Sequence, residues 1–456
     1  MVNETGRVFI VGVGCTAFTK PGGLSQTNDM GLEAATKALL DAGITYDAVE
    51  AAFVGYVYGA STCGQAALYQ LGLTGIPITN VNNNCATGAT TLFHAATLIR
   101  AGEARCALAL GFERMAPGAL GANDPWADRP SPMQSLLVAA ARAAPDADRG
   151  PPMPRVFGAS AAEYFKVYGG GVEHLAKIAS KNHKHALNNP YAQFRAGYSE
   201  AEVLSSAQIT KELTKFMCSP TSDGAACCIV ANEPFVHANK LENQAIEMVA
   251  TALSTDSPEA FEGRSAMDSV GYGMTRRLAD KVFTQAGANR DDVGVVELHD
   301  CFAANELISY SALGLCAIED THHFVERGDN TYGGKYVINP SGGLEAKGHP
   351  LGATGLAMHF SITMQLRNWA GPMQASELFD HKGGRGKYGL VHNIGLGGAA
   401  VISLLQRPEF YRASGLDGRD RLGYNHAHEL RPITHADVAK VKSTAHSERL
   451  LQLAKL

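Results

Sequence analysis

No stretch of this chain approaches the roughly 20 consecutive apolar residues that span a bilayer, so an integral membrane protein is not expected. A surplus of positive charge is missing as well. The 39 Lys and Arg stand against 44 Asp and Glu, a net charge of −5, which gives nucleic acid nothing to bind. An anionic ligand would need a local basic patch. The nine cysteines (15, 63, 85, 106, 218, 227, 228, 301, 316) contain no CxxC and form no paired framework. An odd count in a chain this large predicts reduced thiols inside a cell. The 16 histidines show no ligand spacing with those cysteines, so no structural zinc or other bound metal is expected.

What is present is an ordinary globular composition, 45% hydrophobic and 18% charged over 456 residues, enough for two or three packed domains. The 49 glycines and many alanines suit an α/β protein with tight strand-to-helix turns. Strands are predicted over 7–14, 52–58 and 105–111, with helices over 30–42, 64–71 and 90–100. The same order returns as strands over 245–253, 293–298, 388–392 and 399–405, with helices over 276–286, 303–314 and 352–369. Residue identity barely repeats but element order does, which predicts two similar α/β halves. The first strand follows the amino terminus so closely that no leader peptide is expected.

Between the halves, 117–216 is rich in Pro, Ala and charge and reads as an inserted loop domain. Within it His174, Lys177, Lys181 and Lys184 recur at helical spacing and share one face. That face is either simply solvated or a basic rim for an anionic ligand. The expected boundaries are 1–116 with 217–243 for the first half and 244–407 for the second. A peripheral extension follows over 408–456, with a short helix near 448–453. It ends in Ala454-Lys455-Leu456, a near variant of the Ser-Lys-Leu address read by the peroxisomal import receptor.

Four segments carry chemistry. Cys85, in Asn82-Asn83-Asn84-Cys85-Ala86-Thr87-Gly88, stands where a strand-like run meets a helix, and a helix start favours thiolate. His299 and Cys301 close a strand ahead of a helix, the usual place of function in open α/β sheets. His349 is held between Gly348 and Pro350, which fixes its backbone and leaves its ring available. The turn Gly395-Leu396-Gly397-Gly398 lets backbone approach a substrate closely. Each has a plainer reading as a buried thiol, a capping histidine, a loop residue or a tight turn. Two cysteines and two histidines at such junctions of paired halves form a much rarer set.

Over about 7–405 the chain resembles the thiolases, specifically the sterol-carrier-protein thiolases of the SCP-x type. The resemblance rests on Asn82–Gly88, Lys181–Phe194, Pro220–Ala226, the His299-Asp300-Cys301-Phe302 segment and Arg327–Gly355. It implies a thiolase fold, α/β, with two similar βαβαβαββ halves, an inserted loop domain and a homodimer. Coenzyme A is implied as co-substrate, with no tightly bound cofactor. The implied catalytic residues are Cys85, His299, Cys301 and His349, with the backbone N–H groups of Cys85 and Gly395 as oxyanion donors. Lys177, Lys181, Lys184 and Ser341 are the expected coenzyme A contacts. Ordinary thiolases carry their second cysteine in a late CxG motif. Here that position is Asn393, so Cys301 supplies the second thiol.

The implied activity is thiolytic cleavage of a 3-oxoacyl-CoA, straight, α-methyl-branched or sterol-derived, in the peroxisome or the cytoplasm. Two rivals stand beside it: a retro-aldolase acting on steroid side-chain CoA esters with a small partner, and a non-catalytic lipid carrier. The intact Cys/His set argues against the first. The roughly fifty residues after Leu405 are too few for a separate carrier domain.

Overall fold

The computed structural model describes residues 6–22, 27–115, 131–145, 150–376, 386–413 and 417–444. Ten strands form one sheet: β1 (Phe9–Cys15), β2 (Ala51–Gly55), β3 (Ile78–Val81), β4 (Cys106–Glu113), β5 (Gly224–Ala231), β6 (Ile246–Ser254), β7 (Val293–Glu297), β8 (Val337–Ile338), β9 (Tyr388–Gly395) and β10 (Ala399–Gln406). Their order is β3-β2-β4-β5-β1-β6-β10-β9-β7-β8. Counted within each half, it reads third, second, fourth, fifth, first, and then the same sequence backwards. Strand directions repeat too. The second strand pairs in parallel with the third and fourth, and the fifth pairs antiparallel with the fourth and first, in both halves. The halves meet along a short antiparallel seam, Phe9 opposite Glu247 and Ile10 opposite Ile246. This is the α/β fold of two similar halves.

Two strands are hidden in the sequence. Along β5 every residue is buried, so Gly-Ala-Ala-Cys-Cys-Ile-Val-Ala shows no alternation. β8 is two residues long, below any periodic signal.

The helices that matter for function are α1 (Thr27–Ala42), α2 (Thr87–Arg100), α3 (Val172–His185), α4 (Ala303–Ala312), α5 (Gly343–Lys347) and α6 (Thr354–Arg367). Most of α2 and nearly all of α6 is buried; α6 is an interior helix with no wet face, while α2 exposes only His94 and Thr97. Small residues let them touch. A Cβ at Gly88 would lie 2.7 Å from the Gly352 carbonyl, and one at Gly355 would lie 2.8 Å from the Ala89 side chain. Polar side chains inside α2 are satisfied locally: Thr90 Oγ1 donates to the Ala86 carbonyl at 2.9 Å and Thr91 Oγ1 to that of Gly88 at 2.7 Å. The two helices therefore begin side by side, and both starts face the same place.

The tail is less peripheral than expected. His426 is fully buried, and its carbonyl accepts from Tyr191 at 2.6 Å. Arg421 donates to the Asp41 carbonyl at 2.9 Å, so the segment straps the end of α1. Under the strap, Arg367 pairs with Asp41 at 2.8 Å with both side chains buried. The helix expected near 448–453 and the tripeptide Ala454-Lys455-Leu456 lie outside the described residues. Among the described residues no helix is long and apolar enough to cross a membrane.

Candidate active site

Cys85 sits on the turn from β3 into α2. Asn84, just before it, has φ 48°, the left-handed region that asparagine tolerates better than most residues. The Asn84 side chain donates to the Leu396 carbonyl at 2.8 Å, tying this turn of the first half to the glycine turn of the second. The pull of the helix start toward thiolate is outweighed here. Burial pushes the Cys85 thiol up to about 12, and the Glu113 carboxylate adds to the rise. The nucleophile rests protonated and needs a base.

His349 is built for that task. Its backbone N–H donates to Ser222 Oγ at 2.9 Å. Its Nδ1 lies 2.8 Å from Thr354 Oγ1, and that hydroxyl donates its hydrogen to the Pro350 carbonyl at 2.9 Å. The hydroxyl can then only accept, so Nδ1 carries the proton and Nε2 presents a lone pair. Nε2 is buried without a partner. Burial, with Lys347 adding, lowers the ring to about 3, so the imidazole is neutral at physiological pH and able to take a proton.

His299 has the opposite tautomer. The Asn393 amide donates to its Nδ1 at 3.0 Å, leaving the proton on Nε2. Asn305 holds the His299 carbonyl. Burial, then His349 and His392, hold this ring well below its usual range, so it stays a neutral donor. The two rings pack edge to face with centroids 5.1 Å apart. Cys85 Sγ and one nitrogen from each ring all lie within 4.8 Å of one another. A ring able to accept a proton and a ring able to donate one thus stand beside one sulfur.

Cys301 is buried beside them. Burial raises its thiol well above the ordinary range, followed by Cys85 and Asp300. Its carbonyl accepts from Ser219 N at 2.9 Å. Gly395, at the end of β9, lies against the nucleophile's backbone: a Cβ there would stand 2.8 Å from Ala86 N and 3.1 Å from Cys85 N and would fall on the Asn83 carbonyl. Only glycine fits.

The expected coenzyme A contacts differ in their access to a ligand. Lys181 is buried and its ammonium is spent on Glu306 and, at 3.3 Å, on the Ile338 carbonyl. Ser341 is buried too; it donates to Glu297 at 2.8 Å and accepts from Lys347 at 2.9 Å. Lys177 donates to the Glu326 carbonyl at 2.7 Å, and Lys184 alone of the three lysines is exposed. The shared helix face is therefore mixed: His174 and Lys181 are buried, Lys177 is half-buried and Lys184 is exposed.

Sequence reasoning missed several supporting groups. Glu113 accepts from Val57 N, Tyr58 N and Gly352 N at 3.0–3.1 Å, joining both halves behind Cys85. Burial raises its carboxyl to about 7. Thr354, Ser222 and Asn393 orient the histidines. Asn393 alone had a signal, as the residue standing where the late cysteine was expected.

Residues 8–198 match the family model for the thiolase N-terminal domain, and 261–404 match that for the thiolase C-terminal domain-like unit. The chain belongs to the thiolase family. Rat sterol carrier protein 2 is 51% identical over 401 residues, 87% of this chain and 71% of that protein. Among solved structures, an Ltp2-ChsH2(DUF35) aldolase superposes with a TM-score of 0.70 at 21% identity, covering 89% of this chain and 99% of that one. The dimeric peroxisomal thiolase of Saccharomyces cerevisiae gives 0.64 at 20%, covering 89% and 98%. Both structural likenesses bear on fold alone. Within the family this thiolase matches the sterol-carrier-protein 2 type. It is an enzyme, an acyltransferase that cleaves acyl-CoA thiolytically through a Cys–His site.

Proposed function

We propose that this thiolase cleaves 3-oxoacyl-CoA esters with α-methyl-branched or sterol-derived chains, releasing propionyl-CoA or acetyl-CoA and a shortened acyl-CoA. The observation that carries the reading is the pair of opposite histidine tautomers around Cys85. His349 Nε2 takes the Cys85 proton as the sulfur attacks the β-carbonyl carbon. The resulting alkoxide rests on the N–H groups of Cys85 and Gly395. When the carbon–carbon bond breaks, the carbonyl re-forms as a Cys85 thioester and the electron pair passes to the enolate. The thioester oxygen of that enolate is held by His299 Nε2–H and by the newly protonated His349. Cys301 gives its proton to the enolate carbon and the first product leaves. The Cys301 thiolate then takes the proton of incoming coenzyme A, whose sulfur attacks the Cys85 thioester and frees the shortened acyl-CoA. Cys85 recovers its proton from His349.

A cavity of about 520 Å³ lined by Pro151, Phe194, Tyr198, Phe216, Cys218 and Glu345 supports a path for the pantetheine arm, with Lys215 at its wall. Its largely apolar lining and the name of the rat relative support a hydrophobic acyl group. The yeast thiolase of the same fold is dimeric and peroxisomal, which agrees with a homodimer in the peroxisome. So does β3, which ends the sheet with Thr79 and Asn80 exposed, an edge able to pair with a second copy. The proposed domain boundaries are those of the two strand sets, with 117–216 inserted between β4 and β5.

The test is coenzyme A-dependent cleavage of straight, α-methyl and sterol-derived 3-oxoacyl-CoA, with products identified by mass. Chain-shortened acyl-CoA from branched substrates supports the proposal. Cleavage of straight chains alone removes the substrate assignment, and aldol products without acyl transfer remove the reaction.

A further inference from the structure

Glu345 is a fully buried carboxyl whose oxygens both lack hydrogen-bond partners. It sits on the short α5, which is locked to the His299–Cys301 segment because Leu344 N donates to Asp300 at 2.7 Å and Glu345 N at 3.4 Å. Its side chain shares a wall of the 520 Å³ cavity with Cys218 and Ser219, and Ser219 N holds the Cys301 carbonyl. Cys301 and Cys218 both feel its charge.

The groups around it decide its protonation. Asp300 and Glu306 are the other carboxyls, Lys181 is the ammonium, and Asn182 faces it from α3. His183 and Lys215 lie farther along the cavity wall. Glu306 receives Lys181, Asn182, Tyr310 and Asn339. Asp300 receives Asn182 at 3.0 Å and the two backbone N–H groups. Glu345 receives no such close bond, only a weaker contact from the Asn182 amide. Asn182 has given both amide hydrogens away, and its Oδ1 is itself buried without a donor. One proton on Glu345 supplies that oxygen with a donor and removes the uncompensated charge, whose burial would otherwise be costly. Burial and the two carboxylates raise this carboxyl well above its normal range, in agreement.

We infer that Glu345 is a positioning residue that acts through Cys301, a buried acid sharing its proton with the Cys301 thiolate left after enolate protonation. This rests on the role proposed for Cys301. In the resting enzyme the pair holds two protons, one on sulfur and one on oxygen. The Cys301 S–H bond breaks as the enolate C–H bond forms, and the pair then holds one proton and one negative charge. Glu345 O–H donates to the sulfur, directly or through water in the cavity. The S–H of incoming coenzyme A restores the second proton, and the coenzyme A thiolate goes on to attack Cys85.

The experiment compares kcat against pH for the wild type, Glu345→Gln and Glu345→Asp, with melting temperatures and with alkylation of Cys85 by iodoacetamide, a reaction that needs no proton from Cys301. In the wild type the alkaline limb of kcat reports loss of the first proton from the pair, which comes from Glu345. Glu345→Gln is expected to slow kcat about tenfold, at the lower edge of positioned proton transfer. Its alkaline limb should move to higher pH, because only the thiol then titrates. Glu345→Asp keeps the wild-type limb. Alkylation of Cys85 and the melting temperature stay unchanged or rise. A limb in Glu345→Gln that overlays the wild type overturns the inference at any rate of turnover. A loss of kcat that arrives only with a lower melting temperature and an unshifted limb does the same. Absence of any wild-type cleavage would instead overturn the reading of the reaction, so the two failures are distinguishable.

Discussion

The two halves have the same scaffold and unequal chemistry. In the first, β3 leads to Cys85 and then α2; in the second, β8 leads to His349 and then α6. One junction supplies the nucleophile and its counterpart the base. The junctions after the second strands differ more. After β7 stand His299 and Cys301, both buried. After β2 stand Val57 and Tyr58, whose N–H groups only anchor on Glu113, and Tyr58 is exposed. The pseudo-twofold brings two helix starts together, but it leaves each half free to place different side chains there. One half keeps an open approach while the other closes around a dry donor and acid.

The comparison breaks most completely at the nucleophile. Cys85→Ala should lower turnover by about 10⁴ or more, read as loss of product in the cleavage assay. His349→Ala, at the equivalent junction, should cost about 10²–10⁴ in kcat, with iodoacetamide alkylation of Cys85 slowed at neutral pH. The mixed face of α3 sharpens the contrast between structural and functional cations. Lys181→Ala should destabilise by about 3–5 kcal/mol because it strands Glu306, whereas Lys184→Ala should change the melting temperature little. Urea midpoints for the pair would check this. Smallest is Asn393→Ala. It removes the donor that fixes the His299 tautomer, worth about 1–1.5 kcal/mol or roughly tenfold in kcat, with coenzyme A affinity retained.

Stability should also follow the histidines. His349 and His392 are lowered by burial to about 3, and His299 also falls well below its ordinary range. Their folded values lie below the unfolded value of about 6.5, so the folded state excludes protons that the unfolded chain takes up. The stability they give is complete above about pH 6.5. It is lost as pH falls from there toward 3. Melting temperature measured from pH 8 to pH 4 should hold level and then decline below about 6.5.

Much of this was legible in the residues. Repeated element order gave the two halves, because alternating strands and helices leave a periodic trace. Cys85, His299, Cys301 and His349 stood out because reactive side chains at strand-to-helix junctions are rare. The rest depended on contacts distant in sequence. Nothing near Lys181 in the chain reveals Glu306 across the core, so helical spacing grouped this buried lysine with the exposed Lys184. Likewise β5, buried on both faces, carries no alternation to read. How far the Cys85 thiol is held protonated was hidden for the same reason. A helix start is visible in sequence, while the burial and the Glu113 charge that outweigh it are not.

The most direct test of the central claim is to mix the enzyme with a 3-oxoacyl-CoA in the absence of free coenzyme A, quench, and map the modified peptide by mass spectrometry. The account predicts the shortened acyl group on Cys85, with one equivalent of acetyl-CoA or propionyl-CoA released. An acyl group on Cys301, or release of product with Cys85 unmodified, would contradict it.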